Sequence, residues 1–440
     1  MHRRATKKIT LSLVALVLIA VPLFYPNPNG PTGIQWLIAI IEGRGKPHYP
    51  VTGSVESNLE AFFTRNPKLR PQWRNIPDEE NGLLQAMKLI KDGKILDPAV
   101  KDPLIELLAE KSLDSDAAAT HLKQHHELID EIRRIGRMAD RSISFEPIKE
   151  LPLGTALNAR GFKAMADLLA LSMKDQLHQS DIAGALDDFA AINTLAGHLA
   201  NHEAPSLLHA TIAILMRMSA QGALRNALPK IPHETDLSGF LQILESTPAH
   251  HEFIARLLRG EAVSTASFSF IVAASPDHKN PIWNFPALID AYAERILEAA
   301  EFSEKTSPLT TADLVTLDRI LSDRSPSLSK DAREHLQLIN FGRHRWMKGY
   351  DRTSYLTAHT LAALQLHEIE RTTGPVTSAT DPRLSTLATE PFTDLPFHFD
   401  PATRQLTPDP TSALANDADE TRIIQLPYLP TTEPSQNTDY

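Results

Sequence analysis

Beyond residue 53 the chain alternates between apolar stripes and polar faces at a helical step. Leu59, Phe62 and Phe63 share one side of a short segment opened by Ser54 and Glu56. Leu83, Leu84, Met87 and Ile90 follow Pro77-Asp78-Glu79-Glu80, which predicts a helix start: proline in the first turn, then acids at the positive dipole end, with Gly93 closing the helix. Asp97-Pro98 opens the next, through Leu104, Leu107 and Leu108. The polar stretch from Asp114 to Met138 carries the stripe Leu122, Leu128, Ile132, Ile135 and predicts one long helix. Residues 158–228 predict three helices broken by turns at Gln179-Ser180-Asp181 and His202-Glu203-Ala204-Pro205, the middle one striped by Ile182, Leu186, Phe189, Ile192, Leu195 and Leu199. Further helices are predicted at 235–246, 248–260, 284–302, 309–322, about 329–340 and 355–373.

Helical periodicity ends at Gly374. Phe392, Phe397 and Phe399 then predict a short extended hairpin, and Arg422 to Leu426 a further short strand. The expected fold is all-α: an irregular helical bundle or a solenoid of helical hairpins, with a short extended C-terminal hairpin and a disordered, acidic, Pro-rich tail. No clean period of about 34 residues supports a regular repeat array. The organisation is a basic tail at 1–8, an apolar segment at 9–25, a linker at 26–53, a helical domain at 54–373, an extended segment at 374–407 and the tail at 408–440. The Pro- and Gly-punctuated stretch near 145–157 marks a sub-boundary.

The N-terminus predicts topology. Arg3, Arg4, Lys7 and Lys8 precede an uncharged run from Ile9 to Tyr25, interrupted only by Thr10 and Ser12. As a helix that run reaches about 25 Å, close to a thin hydrocarbon core. Cations ahead of the run and none close behind place the N-terminus in the cytoplasm and the rest of the chain outside, as a single-pass signal-anchor protein of the cytoplasmic membrane with a periplasmic bulk. A cleaved signal peptide is the alternative, and it exports the chain equally; Leu18-Ile19-Ala20 offers Ala at one cleavage position and Leu at the other. Ile34 to Ile41, with Trp36, is either an interfacial segment or an ordinary buried element.

The net charge of −10 disfavours nucleic acid as a partner. Aromatics are only 6%, and the apolar set is dominated by Ala and Leu, which favours helix over strand. The chain has no cysteine, so disulfides, thiolate metal sites and a Cys nucleophile are excluded.

The 18 histidines are the residues with most chemical promise. His121 and His125 stand one helical turn apart, with His126 and Glu127 adjacent. His198 and His202 repeat that spacing, with Glu203 next and His209 seven further on; His250, His251 and Glu252 form a third group. Histidines four apart on one helix have metal-chelating spacing, so His121, His125, His198 and His202 are the metal candidates. Their alternative is exposed or capping histidine. A zinc-protease helix would need a general-base Glu where Leu199 stands. Among the acids, Asp78, Glu79 and Glu80 suit helix capping, while Asp187, Asp188, Glu294 and Glu298 predict solvated faces. No Gly-x-Ser-x-Gly elbow, phosphate-binding loop or dinucleotide fingerprint is present, and no cofactor is implied. Arg259-Gly260-Glu261 is either a site element or a helix C-cap.

Several segments carry a resemblance. They are Trp73 with Pro77-Asp78-Glu79-Glu80-Asn81-Gly82, the helix pair around Leu168-Leu169-Ala170-Leu171 and Ala185-Leu186-Asp187-Asp188, Arg259-Gly260-Glu261, and the helix from Leu361 to Glu370 leading to Glu390-Pro391-Phe392-Thr393-Asp394. With these the chain resembles a loose group of uncharacterised bacterial membrane-anchored all-helical proteins, across residues 70 to 400. The closing helix–hairpin block is also similar to the C-terminal part of some pseudopilin-like proteins. In the group that block reads Asp-Pro-Phe-Thr-Gly; here Glu390 and Asp394 replace its ends. The resemblance implies topology and a helical fold and brings no activity.

The expected function is therefore a membrane-anchored scaffold or binding domain of the cell envelope, taking a protein or peptide partner in an apolar groove. The alternatives are a metal-dependent hydrolase built on a histidine cluster, and a component of an export or pilus-like assembly.

Overall fold

A computed structural model describes residues 54–427, apart from 73, 110–115, 142–144, 247–249, 275–285, 307–310, 323–342, 392–393 and 409–423. The predicted segment 9–25, the linker before Ser54, the helix near 329–340, Phe392 and nearly all of the tail lie outside the described residues. Among the described residues no helix is long and apolar enough to cross a membrane.

The fold is all-α. Its helices are α1 (Val55–Arg65), α2 (Gly82–Lys91), α3 (Pro98–Ala109), α4 (Asp116–Gln124), α5 (His126–Gly136), α6 (Phe145–His178), α7 (Ile182–Ala200), α8 (Leu207–Ala227), α9 (Ser238–Glu245), α10 (His250–Ala274), α11 (Pro286–Lys305), α12 (Thr311–Ser322) and α13 (Arg343–Thr373). A small antiparallel sheet closes the described chain: β1 (His398–Asp400), β2 (Gln405–Thr407) and β3 (Ile424–Gln425), in that order, with Phe399 opposite Leu406 and Leu406 opposite Ile424.

Helix α8 is the axis of the bundle. It packs on α6, α7, α10 and α13, while α10 also packs on α1, α6 and α11. Ala213, Met216, Ala220 and Leu224 of α8 are fully buried in one core with Met165, Leu168 and Leu169 of α6 and Phe189, Ile192 and Leu195 of α7. The alanines let neighbouring backbones close up; each large side chain buried there contributes about 2 kcal/mol of hydrophobic stabilisation.

Four details differ from the sequence pattern. Helix α2 starts at Gly82, not at Pro77: residues 77–80 form a turn, and the buried Asn81 caps α2 by accepting from the Leu84 amide at 3.3 Å. The polar stretch 114–138 is two helices that break at His125. The Pro- and Gly-punctuated stretch is helical, because α6 runs unbroken from Phe145 through Pro152 and Gly154; Pro147 falls in its first turn, where no intrahelical N–H is needed. Helix α10 continues to Ala274 rather than stopping at Gly260.

Asp187 and Asp188 are not a solvated face. Asp188 is wholly buried and takes both oxygens to Arg133 of α5, at 2.6 and 3.1 Å, with Ser172 of α6 at 3.0 Å from the same guanidinium. Asp187 pairs with Arg137. These two contacts fix α5 along α7.

Candidate functional site

The turn between α7 and α8, residues 201–206, is buried for most of its length, and His202, His209, Arg74, Arg141 and Arg256 gather on it. Its inner side is held by histidines. Ser206 caps α8 by accepting from the His209 amide at 3.3 Å, and His209 Nδ1 accepts in return from the Ser206 amide at 3.2 Å. That is a capping box with histidine in the place usually taken by Glu or Gln. His202 Nε2 stands 3.3 Å from the same His209 Nδ1, and His202 Nδ1 accepts from the Ala204 amide at 3.2 Å. The pattern is self-consistent for two neutral rings: His202 carries its hydrogen on Nε2 and donates it to His209.

Burial drives both rings toward neutrality. It is the only cause acting on His209, which is pushed down to about 4. For His202 burial is joined by the neighbouring His209 and by Arg141, and the ring lies well below its usual range. His198, fully buried in the last turn of α7, is lowered to about 4 by burial and then by Arg141, against the opposing pull of the Ile135 and Met138 carbonyls. Neither of its ring nitrogens meets a partner at hydrogen-bond geometry. Gly82 packs flat on that ring: a Cβ there would overlap His198 Nε2.

The outer side of the turn is held by cations. Arg74 Nε donates to Glu203 Oε1 at 3.0 Å, and its other end donates to the Arg141 carbonyl. Arg141 Nε donates to the Asn201 carbonyl at 3.3 Å, and Arg256 of α10 donates to Asn201 Oδ1 at 2.9 Å. Gly260 brings α10 against the turn, since any Cβ at that position would run into the Pro205 backbone. Between the turn, α10 and the segment after α1 lies a cleft of about 620 Å³, lined by Lys68, Arg70, Gln72, Glu203, Arg256, Arg259, Gly260 and Glu304 among others. Its rim is laced by ion pairs: Arg70 with Glu60, Lys68 with Glu301, and Arg259 with both oxygens of Glu304. The groove expected to be apolar is thus a charged cleft.

No known family, curated protein or solved structure matches the chain.

Of the two candidate metal pairs, one stays together. His121 and His125 do meet, with rings 4.6 Å apart and edge-on, and His121 is buried with Nε2 unpartnered. His198 and His202 do not share a helical face, because α7 ends at Ala200 and His202 lies in the turn; it is His202 and His209 that come together. Among the described residues no three His, Asp or Glu side chains are placed to hold a metal ion. The side chains of His250, His251 and Glu252 lie outside the described residues.

Arg74, Arg141 and Arg256 were not legible as a group, since they come from distant parts of the chain. The signal present was indirect: the Asn81-Gly82 and Arg259-Gly260 motifs both prove to pack on elements of this site. One further constellation resembles catalytic machinery. Lys163 Nζ lies 3.0 Å from Ser219 Oγ, the reach of a Ser–Lys dyad. Asp167 accepts from both, which makes the trio an ion-pair network bracing α6 against α8.

Proposed function

We propose that this chain is a membrane-tethered binding domain of the bacterial cell envelope, whose ligand enters the cleft beside the turn 201–206. Arg3, Arg4, Lys7 and Lys8 ahead of the apolar run supply the tether and its orientation. The observation that carries the binding reading is the cleft itself. Its volume of about 620 Å³ suits a ligand, its polar lining is all recognition chemistry, and among the described residues no hydroxyl, thiol or imidazole lines it.

The absence of cysteine offers a direct test. Gln72 is exposed at the lip of the cleft, so Gln72→Cys installs a unique thiol. A membrane-impermeant maleimide added to cells with a permeabilised outer membrane is expected to label it before the inner membrane is opened. Labelling only after full lysis would place the domain in the cytoplasm and remove the proposal.

A further inference from the structure

The positive groups around the turn outnumber what they neutralise. Arg74, Arg141 and Arg256 converge on Asn201 and Glu203, and Glu203 is the one carboxylate among these five residues, its side chain 5% exposed. Arg141 and Arg256 are anchored by an amide residue: one takes the Asn201 main-chain oxygen, the other its side-chain oxygen. Among the described residues neither forms an ion pair. Elsewhere on the rim, by contrast, Arg70 and Arg259 each grip a carboxylate with two nitrogens.

That contrast separates structural from recognition arginines. A guanidinium held by neutral acceptors keeps its charge unspent and is still rigidly placed. The crowding is felt: Arg141 is lowered from its usual range, first by burial and then by Arg74 and Arg256, with Glu203 and Asp140 pulling the other way. An anion arriving at Arg256 beside Asn201 relieves that repulsion.

We infer that the ligand of the cleft presents an oxyanion, a carboxylate or phosphate group, to Arg256 of the cleft lining, and that the charge of Arg141, which shares Asn201 with Arg256 outside that lining, adds to the attraction. This rests on the binding-domain reading above and names the chemistry its ligand presents. Arg74 and Glu203 position the turn. A free organic or inorganic anion and an acidic peptide segment share this chemistry, and the experiment distinguishes them.

The test is calorimetric titration of the purified full-length chain, in uncharged detergent at low salt, with citrate, with inorganic phosphate and with a short glutamate-rich peptide. At least one probe is expected to bind at a one-to-one ratio. Arg256→Gln and Arg141→Gln should each weaken it by about tenfold or more, and added salt should weaken it further. Lys123→Gln removes the same charge from an exposed position away from the cleft and should leave affinity unchanged. Binding of a free anion assigns a small-molecule ligand; binding of the peptide alone assigns a protein. Arg256 is exposed at the surface, so Arg256→Gln remains a fair probe even where Arg141→Gln unfolds the domain. Silence from all three probes, or full affinity in Arg256→Gln, overturns the inference. Thiol labelling in cells reports on orientation and can fail or succeed independently of this result.

Discussion

Thermal unfolding of this protein is expected to hold a steady Tm from pH 7.5 to 6.5 and then to fall steeply, with the folded domain lost in mild acid near pH 5. The cause is a set of buried neutral imidazoles. His198 and His209 are held near 4 and His359 near 3, all led by burial; His121, His202 and His367 are also lowered. Above the ordinary histidine range neither state takes up protons, and these groups leave stability flat. Below about 6.5 the unfolded chain protonates while the folded rings stay neutral, so stability falls with pH until the folded rings themselves titrate. By pH 5 that loss is about 2 kcal/mol for each of His198, His209 and His359. The combined loss approaches the whole stability of an ordinary domain, about 5–15 kcal/mol. The same neutral rings accept the Ala204 and Ser206 amides, so the turn that walls the cleft is expected to be lost with the rest. Calorimetric scans across pH check this. A Tm unchanged down to pH 4.5 would show that the rings are not held neutral.

The second large effect lies where the sheet docks on α13. Arg404 donates through two nitrogens to the two oxygens of Glu370, at 2.6 Å each, with the side chains only 5% and 2% exposed. Glu370 also accepts from the Val376 amide at 3.1 Å, and Arg404 donates to the Pro427 carbonyl at 3.0 Å and lies over the Phe399 ring. Every strong partner of this ion pair is inside the fold. Arg404→Met leaves a buried carboxylate without its cation and is expected to cost about 3–5 kcal/mol in urea unfolding. Replacing both, Arg404→Met with Glu370→Leu, removes the stranded charge and should restore most of the loss. A single variant that loses less than about 1 kcal/mol would mean that the pair is solvated in solution.

Much of this architecture was legible in the pattern of apolar positions. The stripe Ile182 to Leu199 marked α7, and the extended character after Gly374 marked the sheet, including the late strand at Ile424. What misled was local chemistry with more than one use. Pro77 and the acids after it look like a helix start, yet Asn81 is the cap, its side chain accepting from the Leu84 amide, and the Gly82 after it fits against His198. Gly260 looks like a helix end, yet it is a packing glycine inside α10. The spacing of His198 and His202 predicts a shared face only while the helix continues, and it stops at Ala200. The arginine cluster was invisible for a plainer reason: Arg74, Arg141 and Arg256 are joined only by tertiary packing on one turn, and nothing in their sequence positions links them.

The cleft beside the turn 201–206 is where this protein is proposed to meet its ligand. The most direct measurement places a photo-reactive residue at Gln72, and separately at Lys123, and irradiates living cells. The account predicts an adduct, resolved by mass, from position 72 that is missing from position 123. An identical adduct from both positions, or none from the cleft, would contradict it.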